Sequence, residues 1–207
     1  MNVKRKKMKI LSLMTLTVVL GALSSRGLAS GEWMQEAPTR LGQGQVASIA
    51  FSPDGTILYA AHRTDSSGQF YEAQTVIYWD PETKEQVGAL PHHLVSNITL
   101  SPDGNILVTA TEPGKTIHLW DVAGQSQIGQ IQPPRYQSNF AFSPDGKILA
   151  SSGYWKLDGM IHLWDVQTQQ QIATISRDQG NGLQLGGRLA FSPDGRTLVV
   201  GGDHNGN

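Results

Sequence analysis

The stretch FSPDGKILA (142–150) joins two short apolar runs through a Ser-Pro-Asp-Gly turn. Proline fixes φ near the value required at the second position of a type I turn. Aspartate hydrogen-bonds to nearby backbone, and glycine adopts a left-handed conformation at low cost. The stretch therefore predicts a β-hairpin with a glycine bulge. The same turn recurs with its serine at 52, 101, 143 and 192, which indicates a repeat architecture.

A second motif recurs in step with the turn. TVIYWD, TIHLWD and MIHLWD end at Asp80, Asp121 and Asp165. Each is followed by a short apolar segment (QVGAL, QIGQI or QIATI) that suits one more strand. Each unit is therefore predicted to form four strands. The first precedes the turn, the second follows it, the third ends in Trp-Asp, and the fourth is the apolar segment after Trp-Asp. The last unit contains the first two strands and then GGDHNGN.

These units resemble WD repeats (the WD-40 family), and the resemblance covers residues 36–207. It implies an all-β fold class, a WD-repeat β-propeller. The propeller would have three complete four-stranded blades and the first half of a fourth. An outer strand is expected near the N-terminus, within 34–41. PHHLV (91–95) and its counterparts lack the Gly-His that usually precedes the first strand. The family's His–Ser/Thr–Trp–Asp network is therefore not expected. The repeats are expected at about 45–90, 94–131, 137–175 and, incomplete, 187–207.

The predicted propeller region is 30–207, and its last repeat stops halfway through a blade. Repeat arrays normally finish with a capping unit. We therefore interpret the chain as a fragment or truncated form of a longer propeller, whose missing blades would be its partners. The alternative is a natural incomplete propeller that closes by self-association.

Residues 1–29 have the layout of a secretory leader. Five basic residues precede a mostly apolar run from Ile10 to Leu23, and small residues follow around Ala29 and Ser30. This layout predicts a signal peptide, with a leader helix over about 5–25. The run is short for a membrane span, so the alternative is an uncleaved N-terminal anchor, the one predicted contact with a membrane. The predicted location is the periplasm, the cell envelope or the extracellular space.

Composition excludes several functions. The leader holds six of the 16 Lys and Arg residues and none of the 17 Asp and Glu residues, so the rest of the chain carries a net charge of about −7. A surface of that sign does not favour nucleic acid as a partner. The absence of cysteine excludes disulfides, thiolate catalysis, cysteine-based metal sites and a cysteine-linked lipid anchor.

The polar residues form no recognisable catalytic motif. His118 and His162 occupy the same slot of the third strand, which indicates a structural role, and His92 and His93 point to opposite faces of an extended backbone. The recurring aspartates are turn formers. We therefore predict no catalytic residues, no metal site and no cofactor.

Insertions in the loops carry the most specific functional signal. Long connections follow the second strand at 62–74 and 153–159. In WD-repeat propellers such connections lie on the same face as the loops between blades, so the resemblance implies that arrangement here. Aromatic and arginine side chains are typical of interface hot spots. The alternative is that these rings only pack their own loops. The candidate partner-binding residues are Phe70, Tyr71, Arg135, Tyr136, Tyr154, Trp155 and Lys156.

These features favour a non-enzymatic, exported scaffold that binds a protein or a peptide. One alternative is an extracytoplasmic propeller enzyme, such as a hydrolase, a lyase or a quinoprotein-like oxidoreductase. An enzyme of that kind needs acids, histidines or metal ligands that converge at the channel. The strands on the channel side offer mainly Ser, Asn, Ala and Thr, with Arg188 as their charge. A small-molecule or glycan sensor that uses the aromatic loops is a third possibility.

Overall fold

A computed structural model shows that the protein folds into a series of antiparallel sheets. The model describes residues 17–18, 39–40, 45–63, 76–90, 92, 95–111, 116–153, 160–176 and 185–202. Every regular element in these ranges is a strand, as the repeat predicts.

Three sheets have four strands each, paired in chain order. Sheet one contains β3 (Gln45–Phe51), β4 (Leu58–Arg63), β5 (Val76–Trp79) and β6 (Gln86–Leu90). Sheet two contains β7 (Val95–Leu100), β8 (Ile106–Thr111), β9 (Ile117–Asp121) and β10 (Ser126–Ile131). Sheet three contains β11 (Asn139–Phe142), β12 (Ile148–Ser152), β13 (Met160–Asp165) and β14 (Gln171–Ser176). A two-stranded sheet, β15 (Leu185–Phe191) with β16 (Leu198–Gly202), follows.

The first strands of successive sheets are neighbours in space: β3 contacts β7, β7 contacts β11, and β11 contacts β15. The sheets therefore radiate from a shared inner row of strands, as the blades of a propeller do. We call them blade one, blade two, blade three and the half-blade. The predicted fold class is confirmed.

The N-terminal region contributes a separate two-stranded sheet, β1 (Thr17–Val18) with β2 (Thr39–Arg40). The prediction of a leader helix over 5–25 is wrong at Thr17 and Val18, which are extended. Both residues are β-branched, and such side chains lose χ1 freedom in a helix and favour strands. β2 lies within the predicted N-terminal outer strand, and it pairs with β1.

The four Ser-Pro-Asp-Gly turns have the same internal hydrogen bonds. Each serine Oγ donates to the aspartate Oδ1 two residues later, at 2.5–2.6 Å. The same Oγ accepts the backbone N–H five residues later, at 2.9 Å. Each glycine has φ between 70° and 77°, in the left-handed region that other residues enter only at a cost. The sequence Ser-Pro-Asp-Gly thus determines both the backbone path and its hydrogen bonding.

The turns also stack on one another at one end of the blades. An ideal Cβ on Gly104 would lie 2.8 Å from Pro53 Cδ in the preceding turn. Equivalent positions on Gly146 and Gly195 lie 3.8 Å from Pro102 Cδ and 3.5 Å from Pro144 Cδ. Each glycine is therefore covered by the proline of the blade before it. Gly55, in the first turn, has nothing within 4 Å of its Cβ position.

The Trp-Asp motifs end in a second type of turn. Asp80, Asp121 and Asp165 each accept a backbone N–H three residues later, at 2.7–2.9 Å. The fourth residue after each aspartate has positive φ although it is not glycine, with 58° at Gln169. The side-chain amide of Gln169 accepts a hydrogen bond from the N–H of Gln130 and donates one to the carbonyl of Ile128. Both partners lie on the outer strand of blade two. This clasp lies directly over Gly129, where a Cβ would collide with it.

The first strand of each later blade packs against the blade that precedes it. Ile98 of blade two packs into a cluster with Tyr59, Tyr78 and Leu90 of blade one. Phe140 of blade three packs in the same way against Val108 of blade two, in the next cluster. Each core therefore lies between two blades, so that no blade buries its apolar surface alone.

We expect Gly104→Ala to destabilise the protein more than Gly55→Ala. Both residues have left-handed φ, so each substitution costs about 1 kcal/mol in backbone strain. Only the Cβ at 104 also meets a proline ring. Thermal unfolding of the two variants measures the difference, and equal losses would contradict the stacking of turns.

The turn aspartates predict that stability falls in acid. Hydrogen bonds, first from the serine hydroxyl and then from backbone N–H, hold the pKa of Asp145 below its ordinary value, and the same holds for Asp54, Asp103 and Asp194. A lowered folded-state pKa contributes stability that is present above the ordinary value near 3.8 and is lost as the pH falls through the folded value.

Ser143→Ala removes the first of these bonds and keeps the Asp145 carboxyl group. We expect the pKa of Asp145 to rise towards its ordinary value, and the loss of stability below about pH 4 to become less steep than in the wild type. NMR titration of the carboxyl group and unfolding curves against pH measure both effects. An unchanged pKa of Asp145 would contradict the assignment.

Candidate functional site

The two ends of the blades differ in the connections that they carry. Because neighbouring strands are antiparallel, the Ser-Pro-Asp-Gly and Trp-Asp turns lie at one end. The connections from second to third strands and those between blades emerge at the other end, which we call the loop face. It includes the ends of the predicted insertions and the whole interblade loop 132–138, which links β10 to β11.

The interblade loop 132–138 is fixed at its base. The N–H of Ser138 donates to the carbonyl of Ser152 at 2.9 Å, and Asn97 Nδ2 donates to the carbonyl of Ser138. Gly153 lies so close to the Tyr136 carbonyl that no Cβ would fit there. Residues from blades two and three thus hold the loop in one position.

Two of the seven predicted contact residues lie on this loop. Arg135 is exposed and Tyr136 is half-buried, while Gln137 beside them is fully buried and its Nε2 donates to the Arg135 carbonyl at 3.4 Å. Arg135 and Tyr136 are therefore presented to solvent from a rigid support. Phe70, Tyr71, Tyr154, Trp155 and Lys156 lie outside the described residues, so their convergence with Arg135 stays a prediction.

A chain of aromatic and hydroxyl groups supports the loop face in blade two. Trp120 Nε1 donates to Thr109 Oγ1 at 3.0 Å, and Thr109 Oγ1 lies 3.0 Å from His92 Nδ1. The His92 ring contacts His118 edge-on, with centroids 4.3 Å apart. Burial lowers the pKa of His118, an effect that its hydrogen bond with Gln127 partly opposes. Such an environment favours the neutral form of the His118 imidazole, in a structural role.

These contacts among Trp120, Thr109 and His92 were not predicted from the sequence, because the family's network was not assumed where Gly-His is absent. His92 follows Pro91 and enters the network from the interblade connection. The residue that could have indicated the network is Thr109, which stands at the position of Ser151 in blade three. There, Trp164 Nε1 donates to Ser151 Oγ at 2.9 Å.

Blade one lacks this hydrogen bond. Ala60 pairs with Ile77 where Thr109 pairs with His118, so that no hydroxyl faces the indole. Trp79 Nε1 is buried and has no hydrogen-bond partner among the described residues. The network is therefore a property of blades two and three.

A row of polar residues lines the inner strands. Ser48, Asn97, Asn139 and Arg188 each lie four residues before a turn serine. Ser48 Oγ donates to Asn97 Oδ1 at 2.8 Å, which joins blade one to blade two. Asn139 Nδ2 donates to Ser138 Oγ at 3.1 Å, and Arg188 is exposed on the half-blade. Of these two hydrogen bonds, the one between Ser48 and Asn97 connects neighbouring blades, whereas the one from Asn139 is local to the start of blade three.

The described residues contain neither a metal-binding cluster nor a membrane-spanning helix. Within the ranges that the structure describes, no group of three or more His, Cys, Asp or Glu side chains could hold a metal ion. The same part of the chain has no helix long and apolar enough to cross a membrane.

Comparison with known families supports the resemblance seen in the sequence. The model for the WD domain, G-beta repeat, matches residues 84–121, and the model for the eukaryotic translation initiation factor eIF2A matches residues 112–202. Together with the repeated four-stranded blades, these matches show that the chain is similar to WD-repeat β-propeller proteins.

Curated relatives agree with this family. The chain is 29% identical over 91 residues to the WD repeat and SOCS box-containing protein 1 of Takifugu rubripes, an alignment that covers 39% of this chain. It is 28% identical over 128 residues to the Periodic tryptophan protein 2 homolog of Schizosaccharomyces pombe, covering 60% of this chain. The chain spans only 21% and 13% of these relatives' own lengths.

A solved structure shows the same fold. Kuenenia stuttgartiensis hydrazine synthase superposes with a TM-score of 0.60 over 75% of this chain and 41% of its own, at 23% identity. At that identity the likeness concerns the fold alone.

We expect Trp120→Phe to cost about 1–2 kcal/mol of stability, because it removes a buried hydrogen bond and leaves Thr109 with fewer partners. Trp79→Phe should cost less, because the indole N–H that it removes has no hydrogen-bond partner among the described residues. Chemical denaturation of both variants measures the difference. A larger loss for Trp79→Phe would contradict the assigned network.

Proposed function

We propose that this chain is a non-enzymatic, exported scaffold whose loop face binds a protein or a peptide. WD-repeat domains generally bind protein partners. The observation that carries the proposal is the interblade loop 132–138, which presents Arg135 and Tyr136 from a base fixed by two blades. A loop backbone fixed at its base suits recognition, because less backbone conformational entropy is lost on binding.

The proposed absence of catalysis is supported by the roles of the described polar groups. The histidines of blade two contact Thr109 and Trp120, and the turn aspartates bind their own backbone. A propeller enzyme would instead need several titratable groups that converge on one open site. Hydrazine synthase has the same fold, but at 23% identity it carries no activity over to this chain.

Export is proposed from the basic and apolar leader. The mature protein is then expected to start at Ser30 or Gly31, and N-terminal sequencing of envelope or secreted material tests this start. Intact Met1 on protein from the cytosol would count against export without affecting the proposed binding face.

The binding proposal predicts that Arg135→Ala and Tyr136→Ala weaken partner binding by tenfold or more, since truncated hot-spot side chains typically cost about 2 kcal/mol. A photo-crosslinking residue at position 136 in the full chain first identifies the partner in cells. Binding of the purified partner to each variant is then measured by calorimetry.

Arg196→Ala is the matched control, because Arg196 is also an exposed arginine but lies in a Ser-Pro-Asp-Gly turn at the opposite end. We expect it to bind as the wild type does, and all three variants to unfold as the wild type does. Equal binding by Arg135→Ala, Tyr136→Ala and Arg196→Ala would exclude the loop face as the partner site.

A further inference from the structure

The carboxylates that the structure describes all lie at one end of the blades, in a Ser-Pro-Asp-Gly turn or a Trp-Asp turn. They are Asp54, Asp80, Glu82, Glu85, Asp103, Asp121, Asp145, Asp165 and Asp194. Nine carboxylates against three basic residues in the same turns, Lys84, Lys147 and Arg196, give a net charge of −6. We call this the acidic end. It accounts for most of the negative charge that the chain carries outside its leader.

Hydrogen bonds within the turns keep the acidic end ionised. The backbone N–H of Thr83 makes the largest contribution to lowering the pKa of Asp80, and that of Thr168 does the same for Asp165. The four Ser-Pro-Asp-Gly aspartates also have lowered pKa values, as described above. These six groups therefore stay charged at neutral pH and in mild acid.

The loop face has the opposite character in the part that the structure describes. The strand directions place Arg63, at the end of β4, and Arg135, in the interblade loop, at this end. No Asp or Glu of the described ranges lies there. A strand such as β8 separates the two ends, and its six residues span about 20 Å. Because salt screens charges over about 8 Å at physiological ionic strength, the acidic end has little influence on a ligand at Arg135.

Arg135 combines a fixed backbone with an exposed side chain. Its carbonyl accepts a hydrogen bond from Gln137 Nε2 at 3.4 Å, and Asn97 and Ser152 hold the loop at Ser138. A guanidinium presents paired N–H donors that match the two oxygens of a carboxylate, and such charge-assisted bonds are stronger than those between neutral groups. The described loop face is therefore suited to an anionic ligand, although the chain as a whole is acidic.

We propose that the partner of the loop face is a protein segment rich in Asp and Glu. Arg135 binds one of its carboxylates, and the half-buried Tyr136 contacts an adjacent apolar side chain. This inference rests on the proposed function of the loop face. The acidic end repels the same segment, so charge selects the face as well as the partner. A nucleic acid fits less well, because its phosphates require a track of cations, and the described part of this face has two arginines.

The first test uses the full-length protein and two synthetic peptides, one of repeated Glu-Gly-Leu units and its analogue with Gln in place of Glu. We expect the Glu peptide to shift the NMR amide signals of Arg135, Tyr136 and Ser138, and to leave that of Arg196 at the acidic end unchanged. The Gln peptide should bind at least tenfold more weakly. Equal binding of the two peptides, shifts centred on Arg196, or no binding of the Glu peptide at millimolar concentration would overturn the proposal.

Three variants at position 135 separate charge from shape. Arg135→Lys keeps the charge without the paired donors, Arg135→Gln removes the charge, and Arg135→Glu reverses it. We expect affinity for the Glu peptide to fall in that order, with a loss of at least tenfold for Arg135→Gln. Added salt should weaken binding by the wild type more steeply than binding by Arg135→Gln. Arg196→Gln is the matched control and should bind as the wild type does, because Arg196 lies at the acidic end.

The partner that is crosslinked through position 136 separates this inference from the proposed function. Exchange of the partner's carboxylates for Lys should abolish its binding to the wild type and restore its binding to Arg135→Glu. If Tyr136→Ala loses this partner while Arg135→Glu binds it as the wild type does, the loop face remains the binding face and an acidic partner is excluded. If neither variant alters binding, the loop face itself is excluded, and the acidic partner with it.

Discussion

The packing of one blade on the next is the interaction on which this structure depends. Each core cluster between blades takes its large side chains from two consecutive sheets, as Ile98 does when it packs against Tyr59 and Leu90. A single four-stranded sheet of this kind exposes one apolar face or the other, so it gains stability only from a neighbour. The turns strengthen the same contact, because each turn glycine after the first lies against the proline of the preceding turn. The stability of the fold and the arrangement of its sheets therefore depend on the contacts between consecutive blades.

The sequence predicted the blades because their signals are local and periodic. Ser-Pro-Asp-Gly fixes a backbone path by the chemistry of four consecutive residues, and the Trp-Asp ending places the third strand in register with the second. The leader helix was predicted from apolarity and length alone. At Thr17 and Val18, β-branching and a partner strand at Thr39–Arg40 outweigh that signal.

The candidate site could be predicted only in part, because its contacts join residues that are distant in the sequence. Arg135 and Tyr136 follow from composition, but the support beneath them depends on Asn97 and Ser152 of two different blades. The family's network was not assumed because PHHLV (91–95) lacks Gly-His, yet Thr109 provides His92 with a hydrogen-bonding partner. A motif search tests consecutive letters, whereas the network requires only that the imidazole reach the hydroxyl in space.

The Gln169 clasp has a consequence for how the blades meet foreign strands. Its amide occupies the Gln130 N–H and the Ile128 carbonyl, two groups through which the rim of blade two could accept an additional strand from another molecule. Blade three has Ala173 at the position of Gly129, and all six residues of its outer strand are exposed. The Gln169 clasp therefore shields part of the outer edge of blade two from the addition of a foreign strand.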